Sequence, residues 1–184
     1  ACFVASHTEP LEVLVVNDDG IGAHGIDALV EGLYTVPGID IKIVAPATNQ
    51  SGQGDNTTPG PETAQPALTL SGRQGTAVNG TPADSVLYGL LALKLSPDVV
   101  LSGINAGQNL ANVGHIFSGT VGAARTAERN GVDAIATSQG EYNGGEADFP
   151  AGTAATLALL EQWRLGLAGK PYMTLPNLNI PSCL

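Results

Sequence analysis

Short apolar runs alternate with segments of helical period along this chain. Glu12–Val16 (EVLVV) is β-branched and nearly all apolar, which predicts a central parallel strand covered on both faces. Gly25–Val36 places Ile26, Leu29, Val30, Leu33 and Tyr34 at helical spacing, and Pro37-Gly38 ends that helix. Ile41–Ala45 (IKIVA) predicts a second strand stopped by Pro46, followed by polar, Gly-rich sequence to about Thr58. Leu68–Leu70 and Ala77–Val78 predict the short strands of a hairpin or flap. Thr81-Pro82-Ala83-Asp84 then reads as a helix start: Thr81 caps, Pro82 suits the first helical position, and Asp84 lies in the favoured first turn.

The helix so opened is expected over Ala83–Lys94, with Val86, Leu87, Leu90, Leu91 and Leu93 as its apolar positions. Strands follow at Asp98–Leu101 and Ala134–Thr137, helices at Gly119–Asn130 and Ala151–Leu165, and a last strand pair at Met173–Leu175 and Leu178–Ile180. Strands alternating with helices predict an α/β fold: a doubly wound, Rossmann-like, mostly parallel sheet with helices on both faces and a small flap. Residues 1–10 read as an N-terminal extension and residues 11–184 as one domain. In such sheets ligands bind beyond the carboxyl ends of the strands, which is where chemistry is to be sought.

Composition narrows the function classes. With 43% hydrophobic and 13% charged residues the chain is globular in character, and it has no apolar run long enough to span a membrane. A net charge of −10 with seven Lys plus Arg argues against a nucleic-acid surface, because phosphate neutralisation needs a basic patch. The chain opens with ACFVASHTEP and its single Met is Met173, so a start after a cleavage or inside a longer polypeptide is expected. Cys2 and Cys183 either bridge the termini or are two unrelated thiols. The Met-less start and the terminal cysteines tilt the expected location towards export, secreted or periplasmic, over the cytoplasm.

The polar residues collect at strand ends. Asn17-Asp18-Asp19-Gly20 follows the first strand, Asn49-Gln50-Ser51-Gly52 the second, Asn105 ends DVVLSGIN, and Thr137-Ser138 ends AIAT. Two carboxylates, a hydroxyl and an amide oxygen make a hard, all-oxygen set suited to Mg²⁺, Mn²⁺ or Ca²⁺, and a cation would relieve the repulsion between adjacent Asp18 and Asp19. Asp-Asp-Gly is also a common turn, and that reading stays open. Ser118-Gly119-Thr120 opens a helix whose free N–H groups suit a phosphate, or is ordinary capping. Asn109 adds an amide nearby. His24 and His115 are candidates for proton transfer, against the plainer reading as surface residues; His7 lies in the terminal segment.

Five blocks together resemble the SurE family of survival-protein nucleotidases: VVNDDGIGAHGI (15–26), APATNQSGQG (45–54), VNGTPADSV (78–86), PDVVLSGINAGQN (97–109) and SGTVGAAR (118–125). They occur in the family's order, and LPNLNIP (175–181) looks like its late strand. The resemblance implies a metal-dependent phosphatase acting on nucleoside 5′- and 3′-monophosphates. It implies one divalent cation on Asp18, Asp19, Ser51 and Asn105, and phosphate contacts at Asn109, Ser118, Gly119 and Thr120. Asp18 or Asp19 would orient or deprotonate the attacking water.

Two departures stand out. LANVGHIF (110–117) replaces a slightly shorter family segment with an acidic residue and an aromatic, and the chain stops soon after LPNLNIP, where the family continues into a dimer-building arm. A homodimer or tetramer is therefore implied more weakly. Two other readings fit less well: a response-regulator receiver needs an Asp where Asn105 stands, and a haloacid-dehalogenase phosphatase needs Asp-x-Asp. A catalytically impaired nucleotide-binding domain of the same fold stays open as the alternative, and it would bind metal but release no phosphate.

Overall fold

The computed structural model describes residues 9–142, 146–166 and 175–182. Its main sheet has seven strands: β1 (Leu11–Val16), β2 (Ile39–Pro46), β3 (Ala64–Leu68), β4 (Gln74–Val78), β5 (Val99–Ala106), β6 (Asp133–Gln139) and β9 (Asn177–Ile180). They lie in the order β3-β4-β2-β1-β5-β6-β9. All neighbours pair in parallel except β3, which returns antiparallel along β4. A two-stranded ribbon, β7 (Glu141–Tyr142) with β8 (Glu146–Ala147), stands apart.

Alternation along the strands sorts the core into two halves. Val13, Val15, Leu101 and Ile135 face helices α1 (His24–Tyr34) and α5 (Phe149–Arg164), meeting Ile26, Leu29, Leu33 and Leu160. Leu14, Val16, Val100 and Ala136 face the other way, onto Val86 of α2 (Pro82–Leu87) and Val121, Ala124 and Ala127 of α4 (Gly119–Arg129). The doubly wound α/β reading is thereby met. Among the described residues no helix is long and apolar enough to cross a membrane.

Two expectations need correction, and one element is not foreseen. The helix expected to Lys94 is α-helical only to Leu87; Tyr88–Ala92 then widens into a π-helical turn, which leaves Leu91 67% exposed. The hairpin exists, but β3 begins and ends earlier than Leu68–Leu70, and β4 joins the main sheet beside β2. LANVGHIF is largely helical, α3 (Ala111–Phe117), although no inward-facing pattern in the sequence predicts it. Of the late strand pair, Leu178–Ile180 falls in β9, which runs parallel to β6, while Met173 and Thr174, like Cys2, Cys183 and His7, lie outside the described residues.

Candidate functional site

The strand order reverses between β1 and β5: from β1 the chain winds outward through β2 on one side, and from β5 through β6 on the other. A crevice opens at such a point because the connecting segments diverge to opposite faces. The NDDG turn leaves β1 there, and Asn105 lies near the end of β5.

The turn is closed on itself and stitched to its neighbour. Asn17 Nδ2 donates to Gly20 O at 2.8 Å and Asn17 Oδ1 accepts from the Gly20 N–H at 3.2 Å. Gln50 N–H donates to Asp18 O at 2.7 Å, and Ile21 N–H to Pro46 O at 2.9 Å. These bonds carry the NQSG loop alongside the aspartates. Asn49 then divides its amide: Nδ2 donates to Asp19 Oδ1 at 3.1 Å, and Oδ1 accepts from the Ser51 N–H at 2.9 Å. Ser51 itself is exposed.

Asp18 is buried, 3% exposed, and its Oδ1 accepts from the Thr120 hydroxyl at 2.7 Å. Burial pushes its pKa up to about 6; the Thr120 hydroxyl pulls it down, and the neighbouring Asp19 charge raises it again. Asp19, half-buried, accepts from Asn49 and, through Oδ2, from the Ala106 N–H at 3.1 Å. Its pKa is also raised, by burial first, against which the Ala106 and Asn49 bonds work, with the Glu141 carboxylate adding to the rise. Every described donor to the pair is neutral.

Helix α4 points its start at Asp18. Ser118 is the N-cap, its Oγ accepting from the Val121 N–H at 3.1 Å, so the capping reading of that hydroxyl is met. Gly119 is required by closeness: a Cβ there would stand 2.6 Å from Asp18 Cβ and 2.9 Å from Pro82 Cγ. Thr120 links the helix to Asn109, whose Nδ2 donates to Thr120 Oγ1 at 3.3 Å and to Ser138 Oγ at 2.8 Å. Asn105 Nδ2 donates to Gly107 O at 2.7 Å, which leaves its side-chain oxygen as the group available to a ligand.

The structure thus brings Asp18, Asp19, Asn105, Asn109, Gly119 and Thr120 together, with Ser51 on the adjoining loop. It does not bring in His24, which lies exposed at the start of α1 beside Asp27; the His115 side chain is outside what is described. Two residues with a part in the site escape sequence reasoning. Asn179 Oδ1 accepts from the Asn109 N–H at 2.7 Å, and Asn177 Nδ2 donates to Asn109 O at 3.0 Å. Their spacing about Leu178 is the available signal, since it puts both amides on one face of a strand. Among the described residues no group of three or more His, Cys, Asp and Glu gathers as a metal cluster, so a cation here would depend on two carboxylates with neutral oxygen donors.

Comparison with known proteins gives one answer throughout. The family model of survival protein SurE matches residues 13–184. The 5′-nucleotidase SurE of Methanoculleus marisnigri is 41% identical over 76% of this chain and 52% of its own length. That of Methanoregula boonei is 37% identical over 94% of this chain and 68% of its own. This chain therefore spans about half to two thirds of the relatives it matches. The crystal structure of the SurE protein from Aquifex aeolicus superposes with a TM-score of 0.77 at 32% identity, covering 94% of this chain and 66% of that one. With the family model covering nearly the whole chain and the same fold in a solved relative, this protein belongs to the SurE family.

Proposed function

We propose that this chain is a divalent-metal-dependent phosphatase that releases phosphate from nucleoside 5′- and 3′-monophosphates. The observation that carries the reading is Asp18: a buried carboxylate beside a second one, approached by the start of a helix and served only by neutral donors. Such a pair is incompletely compensated until a positive charge arrives. The donor chemistry fits Mg²⁺ or Mn²⁺, with Asp18, Asp19, Ser51 and Asn105 as the residues that would hold it. The relatives named as 5′-nucleotidases support a nucleotide as the phosphate donor.

When bound, the cation supplies charge for a phosphate oxygen and acidifies water in its shell. The rest is the chain's own work. The Gly119 N–H, opening α4 behind the Ser118 cap, is the donor offered to an equatorial phosphate oxygen, and the Asn109 amide would add one by exchanging its bond to Thr120 or Ser138 for the phosphate. Thr120 and Asn109 are held by Asp18, Ser138 and β9, so both side chains are positioned before substrate arrives. Asp19, the less buried carboxylate, takes the proton of the attacking water as its oxygen bonds to phosphorus; the ester bond opposite breaks, and the departing nucleoside oxygen takes up a proton from solvent.

The test is phosphate release from AMP, GMP and their 3′ isomers with Mg²⁺, with Mn²⁺ and with EDTA. Release that needs the cation supports the reading. A folded, metal-binding protein that releases nothing would overturn it in favour of a nucleotide-binding domain without turnover.

A further inference from the structure

A cleft of about 310 Å³ opens beside the aspartate pair, lined by Gly107, Gln108, Gly140, Glu141, Pro181 and Ser182. Its position relative to the site is fixed by backbone bonds. Ala106, whose N–H holds Asp19, is followed by Gly107, and the Gly107 N–H donates to Gln139 O at 2.8 Å. The far wall is pinned too: the Ser182 hydroxyl donates to Gly140 O and accepts from Gln139 Nε2 at 3.1 Å and the Asp148 N–H at 3.0 Å. The cleft is therefore a built feature of the strand ends.

Its chemistry differs from that of the phosphate side. Gln108 lies against Gly140, where an added Cβ would come within 3.0 Å of its Nε2. Glu141 is exposed and takes part in none of the ion pairs among the described residues. A free carboxylate repels a phosphate, so this wall suits a neutral group rich in hydroxyl donors. In a nucleotide the group joined directly to the phosphate ester is the sugar.

Resting on the phosphatase reading, we propose that this cleft receives the ribose of a nucleoside 5′-monophosphate, with the Glu141 carboxylate accepting from the 2′- and 3′-hydroxyls and the Gln108 amide beside it. Glu141 is then a specificity residue: it separates ribonucleotides from 2′-deoxyribonucleotides and from phosphomonoesters without a sugar. Gly107 in the cleft wall directly follows Ala106, whose N–H holds Asp19, so the cleft shares its edge with the reaction centre.

The experiment has two arms on the full chain. In the first, kcat/KM is measured with Mn²⁺ for 5′-AMP and 2′-deoxy-5′-AMP, in the wild type, Glu141→Gln and Glu141→Ala, with p-nitrophenyl phosphate on the wild type as a sugar-free phosphomonoester. The wild type should prefer AMP about tenfold, and Glu141→Ala should bring the ratio within about twofold of unity, Glu141→Gln lying between. A wild type that hydrolyses both nucleotides equally, or a variant that keeps the preference, overturns the sugar assignment and leaves the phosphatase reading standing. If no phosphomonoester is hydrolysed, that reading has failed, and the second arm decides the cleft by itself. There, saturation-transfer NMR of the cation-free protein with adenosine and 2′-deoxyadenosine should show a ribonucleoside preference that Glu141→Ala removes. Equal transfer to both overturns the assignment.

Discussion

Two buried aspartates, treated differently, divide the molecule by purpose. Asp84 is fully buried and accepts from the Thr58 N–H at 3.0 and 3.1 Å, the Thr58 hydroxyl at 2.6 Å and the Thr81 N–H at 2.8 Å. With Thr81 it closes a capping box at the start of α2 and ties the 58 loop to it. Asp18 is almost as buried and accepts from the Thr120 hydroxyl and from the backbone N–H groups of Thr120 and of Asp18 itself, yet it sits next to another carboxylate. Asp84 has no such neighbour among its partners, whereas burial and the Asp19 charge together outweigh the donors of Asp18 and raise its pKa to about 6. Burial and hydrogen bonds alone do not separate the two carboxylates; the charge beside one of them does.

The contrast can be tested from its largest effect downwards. Asp19→Asn should lower kcat at least about a hundredfold, roughly 3 kcal/mol in barrier, with the unfolding midpoint nearly unchanged; an unchanged rate would remove the carboxylate pair from the reaction. Asp84→Ala should do the reverse, costing roughly 2 kcal/mol of stability by denaturant titration, since the capping box is lost together with the bonds that tie Thr58 to it. A loss well under about 1 kcal/mol would mean that its hydrogen bonds carry no net stability.

Asp18→Asn should stabilise the EDTA-treated protein at pH 8, by roughly 1–3 kcal/mol. The sign follows from the folded pKa of about 6 lying above the ordinary 3.8. Between those values the folded state holds the proton more tightly than the unfolded chain, so this group's contribution is full below 3.8 and is lost as pH rises through 6. The difference between wild type and variant should therefore be small near pH 4 and complete above pH 7. A gap that does not change with pH would show that Asp18 is not the group responsible. The smallest effect belongs to Asn179→Ala, which should reduce kcat several-fold by freeing the Asn109 backbone while leaving metal affinity, by calorimetry, as it was.

Much of the fold and the site is legible in the sequence alone, and the parts that are not have physical reasons. The central strands are readable because both faces are covered, so EVLVV and DVVL have no polar phase to confuse. Helix α3 hides because Leu110 at its cap and Ile116 and Phe117 at its end face solvent and not a core. The π-helical turn hides for the opposite reason: the leucine spacing continues past Leu87 although the α-helical backbone does not. In the site, Asp18 and Asp19 announce themselves by their mutual repulsion. The hydroxyl that serves Asp18 comes from Thr120, 102 positions along the chain, and pairing at that distance is a property of sheet order rather than of local pattern. Asn177 and Asn179 are further removed still, since their role depends on β9 pairing in parallel with β6 at an edge.

That edge strand also sets a schedule. On a ribosome Asp18 and Asp19 emerge early, Asn105, Asn109 and Thr120 well after them, and Asn177 and Asn179 last of the set. Six of the seven sheet strands and the whole carboxylate crevice can pair while translation continues, but the amides that clamp Asn109 arrive only when β9 threads alongside β6. Completion of the site is thus tied to completion of the sheet, and a nascent chain stalled before residue 177 would carry its two acidic residues without the brace that holds Asn109 beside them.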